Sequence, residues 1–199
     1  MKLDIKGDMK SARRNLNQVQ RKQIPFGVSL AMNWTANDIR DYERARMPAD
    51  LDKPTPQVVN SIRVKPANKR DLEARVYVLS WANEFMRLQI EGGTRRPRGR
   101  VEALPRDIRL NARGNIPGRR TGKIAKLLQR ANTFEARRGN VLGIWERTRK
   151  GTKLLLEYTT KDLRYQARFP FYRYADIEAR RRWPRNFTKA MQVATSTAR

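Results

Sequence analysis

Val141-Leu142-Gly143-Ile144-Trp145-Glu146-Arg147, followed across Lys150-Gly151 by Lys153-Leu154-Leu155-Leu156-Glu157-Tyr158, is the stretch that decides the fold class. Both runs are strand-sized and rich in branched and aromatic residues, and a basic glycine turn separates them, which predicts an antiparallel hairpin. Leu163, Tyr165, Ala167 and Phe169 then alternate with Arg164, Gln166 and Arg168, so a third strand is expected to complete a meander with a basic outer face.

Upstream, Leu72, Ala74, Val76 and Val78 alternate with Glu73, Arg75 and Tyr77. With Ser61 to Lys65 before them and Pro66 to Arg70 as the turn, they predict a second hairpin. Trp81 to Ile90 is apolar and aromatic and runs into Glu91-Gly92-Gly93-Thr94. From Arg95 to Lys123, ten basic residues meet two acids among repeated Pro and Gly, with no period of 2 or 3.6. Such a loop buries too little apolar surface to offset its ordering entropy in isolation. Ile124, Leu127, Leu128 and Ala131 suggest a short helix after it.

The ends of the chain read as helical. Met9, Ala12, Leu16 and Val19 recur at helical spacing over residues 8 to 21, with Asp8 as N-cap. After a break near Gln23, Pro25 suits the first turn of a second helix with the stripe Val28, Ala31, Met32, Thr35, Ile39 and Tyr42, ending at Met47-Pro48. Past Pro170, Tyr174 and Ile177 lead into Arg180-Arg181-Arg182, and Pro184 restarts a helix with the stripe Phe187, Ala190, Met191 and Ala194. The expected class is α+β: N-terminal helices, an antiparallel β hairpin and meander, a C-terminal helix and a long basic loop. The expected division is an N-terminal helical arm over 1–47 and a Pro-rich linker over 48–58. An α+β core follows over 59–199, with the basic loop at 92–123 and the C-terminal helix at 171–199.

Composition narrows the function. The 199 residues carry 45 Lys and Arg against 19 Asp and Glu, a formal charge of +26, with neither His nor Cys. The charge points to a polyanion or an acidic protein surface as partner. Without His or Cys there is no thiol nucleophile, no imidazole base and no zinc site of the usual kind. No enzyme, cofactor, metal or small-molecule substrate is expected. No apolar run approaches the roughly 20 residues of a membrane span, and Met1-Lys2-Leu3-Asp4-Ile5-Lys6 lacks the apolar region of a secretion signal, so folding in a cytoplasm is expected.

Arg95, Arg96, Arg98, Arg100, Arg119, Arg120 and Lys123 are the first candidates for contact with phosphates or with acids of a neighbour. Arg outnumbers Lys there, which favours planar bidentate contacts. Arg180, Arg181 and Arg182 form a second cluster, and Trp183 beside them suits packing better than base stacking. Trp34, Trp81, Trp183 and Phe187 are the candidates for interface packing. Gly118-Arg119-Arg120-Thr121-Gly122-Lys123 lacks P-loop spacing, and Ile124 follows where a hydroxyl is needed. Asp38, Asp41 and Glu43 stand among Arg40, Arg44 and Arg46, an arrangement expected of helix-surface ion pairs.

Three segments carry a resemblance. Ile24-Pro25-Phe26-Gly27-Val28-Ser29-Leu30-Ala31-Met32-Asn33 is a proline followed by a small-residue helix with Ala-x-Asn. Glu91-Gly92-Gly93-Thr94 follows an apolar stretch, and Arg168-Phe169-Pro170 leads to a helix with Asn186-Phe187-Thr188-Lys189-Ala190. Together with the basic composition, they make the chain resemble the minor tail protein Z, or tail-completion, proteins of lambda-like bacteriophages and related head-tail joining components. The final helix departs from that pattern in having Phe before Thr and Ala after it. The resemblance implies a structural virion protein: a homo-oligomeric ring or collar in the neck, made in the host cytoplasm, joining tail to head. Its implied partners are neighbouring connector, tail terminator or tail tube proteins and the DNA passing through, with no membrane. The alternative reading of the residues is a basic nucleic-acid-binding protein of ribosomal or nucleoid type.

Overall fold

A computed structural model describes residues 2–6, 18–97, 101–116 and 122–197, with 2–6, 18–21 and 123 as backbone. In chain order the elements are β1 (Lys2–Lys6), α1 (Gln18–Asp50), α2 (Pro56–Val59), β2 (Ile62–Lys65), β3 (Glu73–Val78), α3 (Ser80–Glu91), β4 (Gly93–Arg95) and β5 (Glu102–Pro105). They continue with α4 (Lys123–Leu128), β6 (Thr133–Arg138), β7 (Val141–Thr148), β8 (Gly151–Thr159), β9 (Leu163–Tyr165) and α5 (Phe171–Ser196). The fold is α+β with antiparallel sheets. None of the described helices is long and apolar enough to cross a membrane.

The chain forms two compact units, one from Met1–Gly92 with Ala167–Arg199 and one from Gly93–Gln166. This differs from the expected arm, linker and core. The helix expected to be an arm instead organises the first unit, because its stripe is covered by residues from both earlier and later in the chain. Val28, Met32, Ala36, Ile39 and Met47 share one core with Ile62, Val76, Met86, Phe169 and Phe171.

In that unit β3 is the central strand, antiparallel to β1 and to β2, with Lys2 opposite Tyr77 and Ile62 opposite Val78. Ala74, Val76 and Val78 are buried while Glu73, Arg75 and Tyr77 are not fully so, as the period of 2 predicts. Asn68 accepts from the Arg70 and Asp71 amides, both at 2.8 Å, and closes the predicted turn. The turn is also fixed to α1: Asn33 Nδ2 donates to the Ala67 carbonyl at 2.9 Å and its Oδ1 accepts from the Ala67 amide at 2.7 Å.

Two helix breaks expected at prolines do not occur. Residues 18–50 form one helix through Gln23, with Pro25 and Pro48 inside it, and residues 171–196 form one helix with Pro184 inside it. Proline costs a helix interior one amide hydrogen bond and a steric clash with the preceding turn. Here burial of Val28, Ala31 and Met32 after Pro25, and of Glu178 and Ala190 on either side of Pro184, favours the continuous helices. The helix expected over 8–21 falls, for residues 8–17, outside the described residues, and 18–21 belong to α1. The linker expected over 48–58 is partly helical, since α1 reaches Asp50 and α2 starts at Pro56 under a Thr55 N-cap.

α1 and α5 run antiparallel. Gly27 lies against Met191 and Ala194, Asn186 bonds to Thr35 and Asp38, and Tyr42 packs edge-on to Tyr174 at 5.7 Å. From Gly27 to Arg46 that contact extends for roughly 28 Å at 1.5 Å per residue. Phe169 and Phe171 enter the core, and the Arg168 and Phe169 amides both donate to the Gln89 carbonyl.

The second unit holds a four-stranded sheet in the order β5-β8-β7-β6, and β4 pairs with β9. The hairpin of β7 and β8 is as predicted, but its third strand is β6, and β9 pairs with β4 instead of extending the meander. Only Leu163–Tyr165 stay paired, because by Arg168 the backbone is bonded to Gln89 and Phe169 is buried in the first unit's core. The loop expected over 92–123 contains β4 and β5, whose backbones are satisfied by β9 and β8. A bulge beside Ile144 and Trp145 leaves Leu155 outside the pairing, so Leu155 and Leu156 are both buried, with Ile144 and Leu127.

Candidate functional site: a basic groove between two helices

Helical spacing builds this groove. Trp34, Asn37 and Asp38 of α1 stand at i, i+3 and i+4, and Arg182, Arg185, Asn186 and Lys189 of α5 follow the same rule along the facing helix. They line an open groove of about 290 Å³ within the first unit. Three cations face one carboxylate, an excess of positive charge in a concave site.

The side chains are fixed by bonds that leave several functional atoms available. Asn186 Nδ2 donates to Asp38 Oδ2 at 2.8 Å and to Thr35 Oγ1 at 3.1 Å. Asn37 donates to the Asn33 carbonyl and accepts from Arg40. Lys189 Nζ lies 5.4 Å from the centre of the Trp34 ring, a cation–π contact that holds the ammonium over the groove. Among the described residues Arg185 has no ion pair or hydrogen bond, and Asp38 Oδ1 and Asn186 Oδ1 accept none.

Arg182 has a second duty. Its Nε donates to Glu178 Oε1 at 2.7 Å, as does Arg181 Nη2. Glu178 is 1% exposed. Burial by itself would raise its carboxyl, but the hydrogen bonds from Arg181 and Arg182 outweigh burial and hold it below the usual carboxylate range. Arg180 pairs with both oxygens of Asp176 at 3.0 Å. Of the predicted triple arginine, then, each member has an acid within its own helix, and Arg182 alone lines the groove.

The other predicted residues are scattered. Arg95 is half-buried in β4 and donates to Glu102 Oε1 at 3.0 Å, so it serves the second unit internally. Arg96 is exposed, Arg98, Arg100, Arg119 and Arg120 lie outside the described residues, and Lys123 starts α4 with its side chain outside them. Trp34 is a wall of the groove, and Trp183 packs on the core of its own unit with Phe187 at 5.6 Å. Trp81 and Phe187 are exposed. Gly92 ends α3 at φ 73°, a helix C-cap whose partial charge is negative, so the Gly92-Gly93-Thr94 turn is no phosphate cradle.

The predicted ion pairs on α1 hold only in part. Arg40 bonds to Asp41 at 2.8 Å, but Arg44 donates to the Ile62 carbonyl, and Arg46 donates to the Tyr174 hydroxyl and covers its ring at 5.3 Å. Glu43 is 0% exposed, and neither of its oxygens has a partner among the described residues. Burial, helped by the charge of Asp50, pushes its carboxyl up to about 9. It is therefore neutral at pH 7.

On the second unit, the guanidiniums of Arg138 and Arg147 cover Phe134 at 5.6 and 5.1 Å, and Arg138 also covers Trp145 at 5.5 Å. These cations occupy the ring faces that a nucleobase would need for stacking. Among the described residues no cluster of Asp and Glu is placed to hold a metal ion. Groove residues Asn37, Arg185 and Lys189 were not singled out from sequence; Asn186 and Lys189 carried a local signal only as part of the segment of resemblance. No protein-family model matches the chain, and no curated protein or solved structure matches it either.

Proposed function

We propose that this chain is a structural virion protein, a tail-completion or head-tail joining component that forms a homo-oligomeric ring or collar in a phage neck. Its neighbours in that role are connector, tail terminator or tail tube proteins, and its cations also face the DNA that passes through. It is made in the host cytoplasm and resides in the tail or neck of the virion. It has no catalytic role, a reading that rests on the missing His and Cys.

The observation that carries this reading is the combination on the first unit of exposed rings and free cations. Trp81, Tyr172, Ile177 and Phe187 are each more than a third exposed, and the groove with Arg185 and Lys189 lies on the same unit. Aromatic residues and arginine are what protein interfaces concentrate. The resemblance of the Ile24–Asn33 and Arg168–Ala190 segments supports the specific role. Against the nucleic-acid alternative stands the pairing of Arg95 with Glu102 inside the second unit, where its side chain is largely covered.

Light scattering of the purified protein in high salt tests the proposal, together with mass spectrometry of purified particles. A salt-resistant oligomer and its presence in virions are expected. A strict monomer that binds random duplex DNA at nanomolar concentration in physiological salt would sink it.

A further inference from the structure

We infer that the groove between α1 and α5 receives an acidic side chain, with its adjacent backbone amide, from a segment of a different protein. The inference rests on the structural reading above and names the chemistry of one contact within it.

The groove offers two kinds of group at once. Arg185 and Lys189 are cations with no acid partner among the described residues, and Lys189 is held over Trp34. A carboxylate between them would gain a bidentate contact from the guanidinium and a point charge from the ammonium. Asp38 Oδ1 on α1 and Asn186 Oδ1 on α5 accept no hydrogen bond among the described residues, while Asp38 Oδ2 is tied to Asn186 Nδ2. These free acceptors call for a donor a few ångströms from the anion.

A peptide supplies that pairing, because an amide N–H accompanies every Asp or Glu side chain. A DNA backbone does not, since its phosphates have no hydrogen-bond donor beside them. Shape agrees: a groove of about 290 Å³ admits one or two side chains, whereas a duplex presents a convex rod. A second copy of this chain is a poorer occupant of the groove, because acids are the minority in it, 19 against 45 Lys and Arg.

The test uses the full chain and a fluorescein-labelled glutamate-rich peptide, followed by anisotropy at about twice physiological salt to suppress unspecific attraction. Arg185→Glu and Lys189→Glu should each weaken binding at least about tenfold. Arg87→Glu, a charge reversal at an exposed position of α3, should leave it within about twofold. Asp38→Asn should weaken the peptide less than either, and a duplex oligonucleotide should compete poorly. Circular dichroism confirms that each variant folds.

Equal losses at Arg87 and Arg185 would overturn the inference, since they would reduce the groove to general charge. So would stronger competition by DNA, or a change in oligomer mass on reversing Arg185 and Lys189 with peptide binding intact. The two proposals fail separately. Virion incorporation without peptide binding removes the groove contact, and peptide binding by a protein absent from virions removes the structural role.

Discussion

Gly27 of α1 and Met191 of α5 approach so closely that a β-carbon on residue 27 would stand 2.7 Å from the Met191 sulfur, with the Ala194 β-carbon at 3.1 Å. The obstacle is the end of a flexible thioether, which can move at modest cost, backed by a small side chain on a helix, which cannot. Gly27→Ala should therefore destabilise the first unit by about 1 kcal/mol and Gly27→Val by about 3 kcal/mol, the range of overpacked cores. Urea unfolding of the variants measures this. A Met191→Ala background should recover most of the loss for Gly27→Ala, and additive effects would show that the two residues do not meet.

Glu43 makes stability depend on pH. Its carboxyl titrates near 4.5 when unfolded and at about 9 when folded, so its stabilising, neutral form is fully present below about 4.5 and is lost as pH rises through 9. At about 1.4 kcal/mol per unit, wild type should lose about 3 kcal/mol relative to Glu43→Gln between pH 4.5 and pH 7. The quantity to follow is the difference between the two proteins in urea midpoint across that window. A difference that does not vary with pH would place a charged Glu43 in a solvated or paired setting.

Gly143 in β7 is a harder case than Gly27. A β-carbon there would collide with the Leu156 carbonyl oxygen, which is backbone paired across the β7–β8 ladder. Gly143→Ala should break that ladder and cost more than about 3 kcal/mol in a unit whose core has only a few large side chains. Hydrogen exchange should show loss of protection over Val141–Thr159 while α1 and α5 keep theirs. Unchanged exchange in β7 and β8 would contradict the close approach.

Asn33→Ala should release the turn at Ala67, since one side chain satisfies both the amide and the carbonyl there. Stranding two largely buried backbone groups costs about 1–3 kcal/mol. Faster proteolysis between Pro66 and Asp71 is the readout, and Asn33→Asp should retain the bond from the Ala67 amide and lose the other.

The hairpin of β2 and β3 is legible because half-burial stamps period 2 on Ala74, Val76 and Val78. The stripe of α1 is legible in the same way, down to Val28, Met32 and Ile39 at 5%, 1% and 0% exposure. β6 was not legible: Thr133–Arg138 alternates weakly, and Phe134 is covered by arginines from its own strand and from β7, a contact with no local signature. Pro25 and Pro184 misled because local propensity cannot know that Gly27 and Ala194 will be pressed together. Glu43 looks like a surface acid among arginines, and its burial is a tertiary property. The groove joins Trp34 to Lys189 and Asp38 to Asn186 across more than a hundred residues, a distance over which no sequence spacing speaks.

The pairing of α1 with α5 also sets an order on biosynthesis. Roughly 120 residues separate the two helices, and ribosomes add about 5–20 per second, so α1 waits roughly 6–24 s for its partner. The second unit, contiguous from Gly93 to Gln166, emerges whole within that interval. Chains broken off before Phe171 carry the complete middle unit yet lack the helix that closes the first. In such fragments neither the groove nor the cover over Gly27 exists, so an unfinished chain cannot occupy the place of a finished one.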